Sequence, residues 1–110
     1  MTRDNQGGDS GPAEPEVVAA HKAGDEDRLM RGENPETTYL EDAEHWEGVY
    51  RELLAFKQDL LDFTKDRIAR MKPPASNEFA TTDLVIMEAE HRRLRIRFDF
   101  WENRRRDLTA

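Results

Sequence analysis

The chain has 110 residues, of which 37% are charged and 36% apolar, with a formal net charge of −7 and no cysteine; that is room for one small domain, and only if most of the chain folds. Without cysteine there are no disulfides, no thiolate metal sites and no cysteine nucleophile. No apolar run approaches the roughly 20 residues needed to span a bilayer, the N-terminus lacks the apolar core of a signal peptide, and the negative balance disfavours non-specific attraction to nucleic acid or anionic lipid, so a cytoplasmic protein that does not touch the membrane is expected.

Residues 1–37 read as a disordered acidic N-terminal arm. Nine acidic residues from Asp4 to Glu36 stand against four basic ones, Arg3, Lys22, Arg28 and Arg31. Beyond Met1, the large apolar residues are Val17, Val18, Leu29 and Met30, too few to offset the entropy of ordering the backbone. Glycines and prolines from Gly7 to Pro35 interrupt any long helix. Glu14 to Lys22 has room for about two helical turns, marginal in isolation, and is expected to order only against a partner.

Residues 38–108 read as an antiparallel helical hairpin. Thr38 and Glu41 have the spacing of a capping box, with Asn34-Pro35 as a competing start one turn earlier. The first helix is predicted over about 38–71, where Lys72-Pro73-Pro74 ends it, and is roughly 50 Å long. Along it Trp46, Val49, Leu53, Phe56, Leu60 and Phe63 recur at steps of three and four, the spacing of a coiled-coil seam. After a loop over 72–80, a second helix over about 81–107 carries Leu84, Met87, His91, Leu94, Phe98, Trp101, Arg105 and Leu108 at the same steps.

A short loop between long helices leaves antiparallel packing as the simple solution. It sets Glu41, Asp42, Glu44, Glu47 and Glu52 beside the arginines late in the second helix, and places Leu53 near Phe98, Phe56 near Leu94 and Leu60 near His91. Apolar residues remain outside that seam, and extended apolar stripes mark interfaces. The expected interface is Trp46, Tyr50, Leu54, Leu61, Ile68, Ile86, Ile96, Phe100 and Trp101. The fold expected is therefore all-α: a two-helix coiled-coil hairpin dimerising into a four-helix bundle, with a disordered N-terminal arm.

Two sharper chemistries are written in the same residues. Glu88 and His91 form a Glu-x-x-His pair on one helical face, the spacing used by ferritin-like di-metal bundles, with Asp59, Asp62 and Glu52 as carboxylates on the facing helix. The commoner role for such a pair is a polar seam residue, His91, fixing register, with Glu88 beside it facing solvent or pairing with Arg92. Arg92, Arg93, Arg95, Arg97, Arg104, Arg105 and Arg106, close to Phe98, Phe100 and Trp101, resemble a phosphate- and base-binding face; solvated helix charge paired within the protein is the commoner explanation. No phosphate-binding loop is present, and neither Ser10 nor Ser76 has a histidine and acid arranged around it. The favoured reading is a non-enzymatic interaction module without a cofactor, whose partner is a second copy or another protein. The metal bundle and the nucleic-acid-associated protein stand as alternatives.

Overall fold

The computed structural model describes residues 15–110; the first 14 residues of the expected arm lie outside the described residues. Among the described residues every regular element is helical: α1 (Pro15–Ala23), α2 (Leu40–Arg70), α3 (Ala75–Thr81) and α4 (Asp83–Thr109). The ion pairs Glu47–Arg105, Lys57–Glu90 and Lys65–Glu88 run in opposite order along α2 and α4, so these two helices pack side by side in opposite directions.

The helix ends differ from the sequence expectation in ways that have local causes. The capping box at Thr38 and Glu41 is not formed: Tyr39 occupies the cap position without a side-chain cap bond. Thr37 does the polar work instead, its hydroxyl donating to Asp42 Oδ2 at 2.6 Å and accepting from the Tyr39 N–H at 3.2 Å. Asn34 opens a turn and no helix, its Oδ1 accepting from the Glu36 N–H at 3.0 Å and its carbonyl from the Thr37 N–H at 3.1 Å. The expected loop 72–80 is largely α3, and Thr82, whose hydroxyl donates to the Glu78 carbonyl at 2.6 Å, joins α3 to α4.

The larger correction concerns which face of α2 is buried. Ala43, Tyr50, Leu94 and Trp101 make the core, with Leu53, Leu54, Phe98 and Phe100 packed against it, and Leu61 is buried further along α2. The α4 ladder therefore faces inward. The α2 ladder is split: Trp46 and Leu53 pack against the core, whereas Phe56 and Phe63, on its outer edge, are 64% and 58% exposed. At 100° per residue, the buried line through Tyr50, Leu54 and Leu61 lies roughly 150° around the helix from Phe56 and Phe63. The stripe expected to face outward is the one that packs, because the rest of the chain offers Tyr50 a buried acceptor that a phenylalanine could not use.

That acceptor comes from the segment 24–39, which returns along α4 as a strap built of successive turns. Its described part departs from the expected disordered arm, whose boundary at residue 37 falls inside packed structure: Glu33 and Thr37 are buried. The strap begins where α1 rests on α4. A Cβ at Gly24 would lie 3.4 Å from the Cβ of the buried Ala89 and 3.2 Å from the Ala20 carbonyl, so the close approach suits glycine. At Met30–Glu33 the strap makes a tight turn in which the Glu33 N–H donates to the Met30 carbonyl at 3.0 Å, and Gly32 has φ +85°.

Two glycine-to-alanine changes should therefore have opposite signs. At Gly32 the space around a Cβ is empty, so the left-handed backbone alone sets the cost, about 1–2 kcal/mol of lost stability. At Gly48, inside α2 and equally free of neighbours, alanine should stabilise by about 0.5–1 kcal/mol. Urea unfolding followed by circular dichroism measures both.

Candidate functional site

Every fourth or third residue on one side of α4 reaches the strap. Arg93 donates to the carbonyls of Asp25 (Nε, 3.1 Å) and Arg28 (Nη2, 2.7 Å). Arg104 grips the Thr37 carbonyl through Nε at 3.1 Å and Nη2 at 2.7 Å. Between them Arg97 and Trp101 converge on one carboxylate, that of Glu33, whose Oε2 accepts from Arg97 Nη2 at 2.6 Å and from Trp101 Nε1 at 2.7 Å. Its Oε1 accepts from the Tyr50 hydroxyl at 2.7 Å and the Met30 N–H at 2.8 Å. A lone buried carboxylate would be expelled by its desolvation cost; with four donors the charge is held.

The acid–base balance of this cluster follows from its geometry. Burial pushes the Glu33 carboxyl upward, but the hydrogen bonds from Met30, Tyr50, Arg97 and Trp101 outweigh it and leave its pKa below the ordinary value. Burial, with the Glu33 charge beside it, raises the Tyr50 phenol and keeps it protonated as a donor. The Arg97 guanidinium also lies 4.7 Å from the Phe100 ring centre and 6.0 Å from that of Tyr50, so aromatic faces cover the charge that Glu33 does not neutralise.

This arrangement absorbs most of the arginines that sequence offered to nucleic acid. Arg93, Arg97 and Arg104 hold the strap; Arg105 donates to Glu47 at 2.7 Å; Arg106 stands 3.6 Å from Glu102. Arg92 and Arg95 are exposed, and the seven do not form one basic surface. Glu88 pairs with Lys65 at 3.5 Å, while His91 lines a separate hollow with Leu54 and Phe98. Among the described residues no three histidine, aspartate or glutamate side chains gather as a metal would need.

The expected interface residues divide. Tyr50 and Trp101 are fully buried and Leu61 nearly so, so these three belong to the core of the single chain and are withdrawn from the interface. Trp46, Leu54, Ile68, Ile86 and Phe100 are half-buried, and Ile96 is exposed. Sequence reasoning did not single out the apolar surface that is open: Phe56 and Phe63, with the exposed Leu29 of the strap and Phe79 of α3. Two hollows flank this row on one side. One, of about 320 Å³, lies between Leu29, Met30, Leu53 and Phe56; the other, of about 200 Å³, lies between Leu60, Phe63, Met71 and Phe79. Glu33 was missed as well, although three buried donors, Tyr50, Arg97 and Trp101, require an acceptor and Gly32 marks a turn that can present one.

Among known proteins, no family model matches the chain, and neither the curated proteins nor the solved structures include one that matches it.

Glu33→Ala strands a guanidinium, an indole N–H and a phenol in the interior and should cost about 3–5 kcal/mol. The pH dependence has a defined sign. A carboxyl whose pKa is lowered by folding contributes stability that is full above its ordinary value of 4.5 and is lost as pH falls through the depressed value. Urea midpoints measured from pH 6 down to pH 3 should fall for the native chain, and Glu33→Gln, already uncharged, should lose less across the same range.

Proposed function

We propose that the chain is a non-enzymatic helical interaction module, a hairpin of α2 and α4 that binds another helix along the open ladder of α2. Its partner is a second copy, giving a four-helix bundle, or a helix of a larger protein. The reading is carried by one observation: on the long helix α2, whose apolar ladder has coiled-coil spacing, Phe56 and Phe63 stand 64% and 58% exposed to solvent. A strict three-and-four repeat concentrates apolar surface on a narrow stripe suited to a facing helix, and a continuous exposed apolar row is what interaction surfaces carry.

The alternatives have less support. For metal binding, the facing helix would have to bring carboxylates to Glu88 and His91, and Glu88 is paired with Lys65 instead. For nucleic acid, the arginines would have to be available, and Arg93, Arg97, Arg104 and Arg105 are engaged inside the chain.

A labelled peptide of four heptads, with leucine at the seam positions and uncharged residues elsewhere, tests the module. It should bind the native chain, and the double variant Phe56→Asp, Phe63→Asp should weaken binding by more than tenfold, since each buried phenylalanine is worth about 1.5–3 kcal/mol. Both side chains are more than half exposed, so helix content and unfolding midpoint should stay close to native. Failure of the native chain to bind, or equal binding by the variant, removes the proposal.

A further inference from the structure

The open row of α2 has a polarity along its length. Exposed acids, Glu52 and Asp59, border its first half, and Arg67 and Arg70 stand at its far end, Arg67 over the Phe63 ring at 5.8 Å. Asp66 in the same half pairs with Arg70 at 3.1 Å, so the two cancel and Arg67 carries the positive charge of that end. A helix that is acidic at one end of a stripe and basic at the other complements itself when reversed. That is the requirement of a twofold, isologous interface, in which each residue meets a partner from the same patch.

Resting on the interaction-module reading, we infer that the occupant of this row is the α2 helix of a second copy, antiparallel, with the twofold axis passing beside Asp59 and Leu60. In that register Phe56 of each copy lies opposite Phe63 of the other, and Glu52 lies opposite Arg67. The two hollows fit the same symmetry. Both are on one side of the row, one at the level of Phe56 and the other at the level of Phe63. The axis therefore exchanges their levels, setting Leu29 and its hollow against Phe79 and its hollow from the other copy.

The register makes one adverse prediction that a general stickiness would not. Asp59 sits beside the axis and faces its own copy, so like charges meet there. Removing that charge should tighten the dimer although it adds no apolar surface.

Sedimentation equilibrium of the full chain tests the pairing. The native protein should show a monomer–dimer equilibrium. Asp59→Asn should strengthen it severalfold, Glu52→Lys and Arg67→Glu should each weaken it by about three- to tenfold, and the two reversals combined should restore much of the loss, as exposed pairs of modest strength would. Because the chain has no cysteine, single replacements report position directly. Asp59→Cys should oxidise readily to a linked dimer, whereas Arg70→Cys, whose two copies lie roughly 30 Å apart in this register at 1.5 Å per residue, should not. A monomer at all concentrations overturns the self-pairing even if the heptad peptide still binds at Phe56 and Phe63, in which case the module stands with another helix as its partner. A dimer that Asp59→Asn weakens, or that links through position 70 as readily as through 59, overturns the register.

Discussion

The fold depends on one carboxylate. Glu33 gathers a phenol, an indole, a guanidinium and a backbone N–H at 2.6–2.8 Å, and through them ties the strap to both long helices. The constraint is mutual. Without the strap, the donors of Tyr50, Arg97 and Trp101 would need water; without those donors, the charge of Glu33 could not be buried. The rotation of α2 follows from the same exchange, because turning Tyr50 toward the acceptor turns Phe56 and Phe63 away from α4.

Much of this was legible in the sequence. Two long helices, the proline stop after Met71 and the inward ladder of α4 could all be read from spacing and punctuation. What could not be read was the angular choice on α2, where two apolar lines of similar strength compete and the decision falls to a residue outside the helix. Nor could composition reveal the strap. Residues 24–37 bury little apolar surface of their own and are held chiefly by hydrogen bonds from α4 to their carbonyls and to one side chain. Hydropathy is blind to that kind of attachment. The domain boundary drawn at residue 38 accordingly separates donors from their acceptors.

The arginines illustrate how a residue type misleads when its partners are unknown. A run rich in guanidinium groups beside aromatics suggests phosphate and bases, yet the fork that suits a phosphate also suits a pair of peptide carbonyls. At opposite ends of the strap Arg93 spans two carbonyls and Arg104 grips one through two nitrogens, and Arg97 between them meets a full negative charge. Of the other arginines on α4, Arg105 and Arg106 stand beside Glu47 and Glu102, and Arg92 and Arg95 are exposed.

The contacts that fasten the strap to α4 join residues 64 to 68 positions apart in the chain. The Glu33 cluster draws donors from both α2 and α4, so it is complete only once those two helices lie side by side. Interactions formed that late leave the speed of folding almost untouched and act on the rate of escape from the native state. The strap is thus less a scaffold around which the helices gather than a latch that, once shut, sets how long they stay together.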